Sequence, residues 1–264
     1  MNKVSANAIG SILTKVKAKA EKLPYRIVIY GREGVGKTSF PAEMTKPLYL
    51  MSRNETGLET LISSGQLGET SHLPAFDTWS EFMGALDELA SADHDFKTVV
   101  IDCLNGFEEL CLEHVLQTQF NGDHASFMAY HRGYAACANV FKELTIKLDR
   151  LRIEKGMTIV CLAHSRLAKE RNPLGEDYQS YKIDLHKDNS DVIRQWADAV
   201  LFFNFFTTVD SSGKAKGGKK RVAYCEPEAG FEAKNRMGLP ASFDLGSSSS
   251  EGFRNFVKLF SKEA

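Results

Sequence analysis

A short apolar run followed at once by a glycine-rich turn constrains this chain more than any other stretch. Residues 26–30, Arg-Ile-Val-Ile-Tyr, are rich in β-branched and aromatic side chains and read as a buried strand. Gly31-Arg32-Glu33-Gly34-Val35-Gly36-Lys37-Thr38-Ser39 follows without a gap. The spacing Gly-x-x-x-x-Gly-Lys-Thr is that of a phosphate-binding loop. Glycines at 31, 34 and 36 let the backbone take positive φ and approach a ligand closely. The turning backbone, from Gly31 through Arg32, Glu33 and Val35 to Ser39, then points successive N–H groups inward as an anion nest. The positive end of the following helix backs that nest. Lys37 reaches the β- and γ-phosphates as a point charge, and the Thr38 hydroxyl is placed to ligate Mg2+.

The rest of the chain supplies elements that suit such a loop. Pro41 and Pro47 keep the helix after the loop short, and Pro47-Leu-Tyr-Leu-Met51 reads as a second strand leading into Ser52-Arg-Asn-Glu55. Residues 56–75 read as a polar connection, and 78–91 as a helix capped by Thr78 or Ser80. Phe96-Lys-Thr-Val-Val-Ile-Asp102 is an apolar strand ending in a carboxylate, placed to hold the Mg2+ water shell. Helices are expected at about 105–119 and 127–155, with an Asn-Gly-Asp turn between them. Thr158-Ile-Val-Cys-Leu-Ala163 is a further strand, and His164 just beyond it could sense a γ-phosphate.

Residues 165–189 read as a long connection in which Arg166, Lys169, Arg171, Lys182 and Lys187 interleave with Tyr178 and Tyr181. Connections of that length are usually functional or mobile. Basic and aromatic side chains together suit single-stranded nucleic acid, where phosphates pair and bases stack. A helix near 190–196 and a strand at 197–206 lead into a hairpin whose tip carries five basic residues in eight positions, Lys219 and Lys220 among them. Returning strands cover 221–226 and 230–236, the second ending in Lys234-Asn-Arg236, and Gly246-Ser-Ser-Ser-Ser250 is a linker or cap before a last amphipathic helix. Alternation of strands and helices implies an α/β fold, a mostly parallel sheet with helices on both faces and an antiparallel hairpin extension. The expected division is an N-terminal amphipathic helix over 1–23 and one core over 24–264.

Composition limits the partners. With 33 Lys and Arg against 34 Asp and Glu, the net charge of -1 argues against a globally basic, duplex-coating surface and leaves local basic loops. The five cysteines are scattered and form no Cys-x-x-Cys pair, as in a reduced interior without structural zinc. No apolar h-region or membrane-length run is present, so no membrane partner and a cytoplasmic location are expected.

These residues together resemble the RecA-type core, the ATPase domain of recombinases and hexameric replicative helicases, over about residues 24–245. In size and layout the chain looks most like phage-encoded core-only RecA relatives, the Sak-four group implicated in single-strand annealing. That resemblance implies ATP and Mg2+ as cofactors, a homo-oligomeric ring or filament, single-stranded DNA as partner and, if phage-encoded, the host cytoplasm. It implies residue roles too. Gly31 to Thr38 would cradle the phosphates, Asp102 would serve the Mg2+, and His164 would be the polar sensor on the strand between those two. Glu55 falls where the glutamate that polarises the attacking water is kept. Its spacing from the strand is looser than usual, so Glu108 and Glu109 remain rival bases. Lys234 and Arg236 look like the Lys-x-Arg pair inserted into a neighbour's ATP site. A helicase-like motor or loader, and a nucleotide or small-molecule kinase, are the alternatives.

Overall fold

The computed structural model describes residues 16–19, 21–212 and 214–260. β1 (Arg26–Gly31) lies at the middle of the main sheet, and all but its first residue are buried. β2 (Pro47–Met51) and the two-residue β3 (Ser71–His72) lie toward one edge. β4 (Thr98–Asp102) and β5 (Thr158–Glu170) fill the space between β2 and β1. These five strands run parallel, with Ile27 opposite Val160 and Val99 opposite Ile159. On the other side β7 (Ala199–Val209) also runs parallel to β1, placing Ile27 opposite Ala199. The antiparallel β8 (Ala215–Tyr224) and β10 (Ser242–Asp244) complete the edge. The expected α/β architecture with a mostly parallel sheet is what the chain forms.

Strands covered on both faces need apolar residues at every position rather than every second one. β1 meets that need. Val28 and Tyr30 enter one core, with Val99, Ile101, Phe82, Phe107 and Phe141. Ile27 and Ile29 enter the other, with Tyr49, Met51, Phe40, Phe203 and Phe256. The first core is covered by α2 (Trp79–Ser91), α3 (Leu104–Phe120), α5 (Arg132–Glu154) and α6 (Lys187–Trp196), which supply Phe82, Phe107, Phe141 and Ile193. The second is covered by α1 (Gly57–Ser63) and α7 (Ser249–Phe260), which supply Leu58 and Phe256. Thr78 caps α2 through a reciprocal capping box with Glu81. Ser249 and Ser250 donate to Glu43, so the serine run docks α7 beside the phosphate loop.

Several expectations are corrected. The polar connection 56–75 contains α1 and β3, because Leu58, Leu61 and Ile62 give even a short segment an apolar side. The helix expected at 127–155 is broken into α4 (His124–Met128) and α5, with Tyr130 and His131 at positive φ between them. The stretch 165–189 is no open connection. β5 runs on to Glu170 and pairs antiparallel with β6 (Tyr178–Ile183), forming a hairpin that leaves the main sheet. The basic run at 216–221 lies on β8 rather than at a tip. The strand expected at 230–236 is only β9 (Lys234–Asn235), paired with β7. The helix expected over 1–23 falls largely on residues 1–15 and 20, outside the described residues, and residues 16–19 and 21–23 at its expected end are irregular. Among the described residues no helix is long and apolar enough to cross a membrane.

Candidate functional site

Parallel α/β sheets gather ligand sites at the carboxyl ends of their strands. Here Gly31 ends β1, His164 lies directly opposite it on β5, and Asp102 ends β4 beyond. A pocket of about 460 Å³ opens at this edge, lined among others by Gly36, Lys37, Thr38, Glu55, Asp102 and His164.

The loop's backbone is set by contacts that exclude side chains. A Cβ on Gly31 would stand 2.0 Å from the Phe203 carbonyl oxygen, so only glycine lets β1 leave the sheet there. Gly36 has φ +100°, and a Cβ on it would meet an Arg221 guanidinium nitrogen at 2.7 Å. The Tyr49 hydroxyl donates to the Thr38 carbonyl at 2.6 Å and ties the loop to β2. After the loop comes one turn, closed by Phe40 N–H on Gly36 O, and then a 3-10 segment at Pro41–Glu43. The expected helix is therefore reduced to its first turn. Phe40 anchors it edge-on against Phe203, Phe253 and Phe256.

Charge is concentrated on the pocket floor. The Lys37 ammonium donates to the Gly31 and Arg32 carbonyls at 2.9 and 3.0 Å. Burial lowers its pKa, opposed by the charges of Asp102, Cys103, Glu33 and Glu55. Asp102 is 3 % exposed, and its Oδ2 has no hydrogen-bond partner among the described residues. Burial first, and the Glu55 carboxylate second, push the Asp102 pKa up to about 7, against the pull of Thr38 and Lys37. The Cys103 thiol, pushed up to about 12 chiefly by burial, donates to Glu55 Oε2 at 3.4 Å. The Asp102–Cys103 peptide is cis.

The rival carboxylates lie elsewhere. Glu108 accepts from His186 N–H at 2.9 Å and Asn189 Nδ2 at 2.6 Å, holding the start of α6. Glu109 is exposed on α3 and does not line the pocket. Lys234 and Arg236 sit at the opposite end of the sheet. Arg236 N–H bonds Asp198 O, and Asp198 N–H bonds Arg26 O at the start of β1. One six-residue strand separates them from the loop, roughly 17 Å at the usual rise, so neither reaches the loop of its own chain. The Lys234 ammonium donates to Arg194 O at 2.7 Å and Gln195 O at 2.9 Å, satisfying carbonyls at the end of α6.

The basic candidates divide in two. Arg166 pairs with Asp184, Lys169 with Asp177, Lys182 with Glu170 and Lys220 with Asp244. Arg171, Lys187 and Lys219 are exposed and have no ion pair among the described residues.

Arg221 and Cys103 are among the pocket residues that sequence reasoning missed. The Arg221 guanidinium donates to Gly246 O at 3.0 Å and to Val35 O at 3.4 Å, bracing the back of the loop from β8. In the sequence Arg221 is one more cation in a basic run. Only its place directly before Val222 on the returning strand sets it apart.

A parallel sheet carrying a strand–glycine loop–Lys-Thr unit, with an aspartate ending a nearby strand, defines a phosphate-loop nucleotide-binding protein. The chain belongs to the AAA domain family (AAA_24), whose model matches residues 23–237. That membership makes it an ATPase-type domain of the phosphate-loop superfamily. No curated protein matches the sequence.

Proposed function

We propose that the chain is an oligomeric ATPase acting on single-stranded DNA in phage-type recombination or annealing. The carrying observation is the convergence of Lys37, Thr38, Glu55 and Asp102 on one pocket, with Asp102 Oδ2 buried and without a hydrogen-bond partner among the described residues. An orphaned carboxylate oxygen is costly unless a cation meets it. Asp102 and Thr38 offer the hard oxygen donors that suit Mg2+, which when bound neutralises charge developing on the phosphates. Lys37 exchanges its loop carbonyls for the β- and γ-phosphate oxygens. Glu55 orients the attacking water and takes its proton, and His164 beside it senses the γ-phosphate. The family supports the ATP half of this reading. The RecA-type and Sak-four resemblance supports the DNA half and the assembly. A kinase would need a lid over its acceptor, and the stretch that could have served as one is folded into the β5–β6 hairpin.

Binding of a labelled single-stranded oligonucleotide, followed by anisotropy at two salt concentrations with ATP present, tests the DNA half. The unpaired Arg171, Lys187 and Lys219 are expected to matter most. Neutralising a side chain that pairs with a phosphate should flatten the log K against log salt slope by ~0.7. No binding at low salt would remove nucleic acid from the account.

The assembly has its own test. Lys234 and Arg236 lie beyond reach of their own loop, as a pair serving a neighbour's site would. Arg236→Ala should keep ATP binding and lose most hydrolysis. Mixed at equal ratio with Lys37→Ala, it should regain turnover, because an intact loop then faces an intact arginine in some pairs. Normal turnover of Arg236→Ala alone would exclude the role.

A further inference from the structure

We infer that Glu55, Cys103 and His164 form a binding site for a borderline transition-metal ion, with Zn2+ the best fit, inside the phosphate-loop pocket. One ligand atom from each, a carboxylate oxygen, the thiol sulfur and an imidazole nitrogen, lie within 4.8 Å of one another. The sulfur and Glu55 Oε2 are already 3.4 Å apart. Tetrahedral zinc, with bonds of about 2.3 Å to sulfur and 2.0–2.1 Å to nitrogen or oxygen, spaces its ligand atoms roughly 3.4–3.6 Å apart. Small rotamer adjustments close the remaining gap.

The donor set decides the kind of ion. Thiol and imidazole are poor partners for Mg2+ and good ones for Zn2+, so this site is chemically separate from Thr38 and Asp102. Its groups are also free to bind. Among the described residues the Cys103 thiol is the only hydrogen-bond partner of the Glu55 carboxylate, and no hydrogen bond or ion pair engages the His164 ring. The backbone beneath them is held firmly. Glu55 N–H bonds Ser52 O, His164 N–H bonds Asn105 Oδ1 at 2.8 Å, and the His164 carbonyl accepts from Asp184 N–H at 2.9 Å. Three protein ligands leave a fourth position facing the pocket, for water or a phosphate oxygen, as in open rather than structural sites. On binding, the Cys103 thiol releases its proton to solvent as the metal–sulfur bond forms.

The consequence for catalysis rests on the reading of Glu55 as the base; the metal binding does not. An ion at this position occupies the Glu55 carboxylate, so hydrolysis stops while the phosphate loop stays open. The pocket is thus a metal-inhibited one.

The test is a titration of the purified chain with Co2+ alone, without nucleotide or Mg2+, followed by Zn2+. Expected are one bound Co2+ per chain, a thiolate-to-metal charge-transfer absorption, and its loss when an equivalent of Zn2+ is added. Cys103→Ser should lose the absorption and bind Zn2+ at least ~10-fold more weakly, and His164→Asn should weaken binding similarly while keeping the absorption at high Co2+. Cys111→Ser should change neither, although Cys111 and Cys137 place their sulfurs 2.9 Å apart. Circular dichroism establishes that each variant is folded. An absorption that survives in Cys103→Ser, or none in the folded wild type, overturns the proposal. Because nucleotide is absent, that outcome leaves the ATPase reading standing, and a failure to bind ATP leaves the titration unaffected.

Discussion

Lys37→Ala should weaken ATP binding and abolish turnover while leaving the fold intact. Among the described residues the ammonium bonds only to the Gly31 and Arg32 carbonyls of its own loop, and its loss opens no gap in either hydrophobic core. A charge-assisted contact is worth ~1.5–3 kcal/mol, which by itself weakens binding by about one to two powers of ten. The loss grows in the transition state, where charge develops in a pocket that water screens poorly. Binding of a fluorescent ATP analogue and thermal unfolding, measured on the same preparation, separate the two effects. Unchanged turnover in the folded variant would remove the phosphate-loop assignment.

Glu55→Gln should bind ATP with near-normal affinity and hydrolyse it at least ~100-fold more slowly, the usual scale of lost base catalysis. The amide keeps the size of the side chain and can still meet the Cys103 thiol. It cannot accept the proton of the attacking water. Glu108→Gln is the informative partner. Its carboxylate accepts from His186 and Asn189 at the start of α6, so that variant should lose stability before it loses chemistry. Normal turnover in Glu55→Gln with a dead but folded Glu108→Gln would move the base to α3.

The parts of this molecule that were legible in the sequence are those whose cause is local. The β1 run, the loop glycines, a helix cap at Thr78 or Ser80 and the carboxylate ending β4 each act within a few residues of themselves. What stayed hidden was set by distant chain. The hairpin of β5 and β6 shows no clean apolar–polar alternation to mark it as paired strands, and its cations pair with Asp184, Asp177 and Glu170 only once the strands meet. The break between α4 and α5 rests on Tyr130 and His131 at positive φ, residue types that announce no turn. Gly133 supplies one reason, since a Cβ there would lie 2.4 Å from the Phe127 ring. Arg221 reaches the loop across the sheet from β8, and Glu55, Cys103 and His164 meet from beyond β2, just after β4 and within β5. No spacing rule connects them.

The central claim is that the pocket formed by Lys37, Thr38, Glu55 and Asp102 hydrolyses ATP with Mg2+ as its cation. Phosphate release by the purified wild-type chain, measured with Mg2+, after chelation and after Mg2+ is restored, tests it most directly. The account predicts turnover that disappears with the chelator, returns with Mg2+ and is absent throughout in Asp102→Asn. Turnover indifferent to chelation, or an Asp102→Asn variant as active as the wild type, would contradict it.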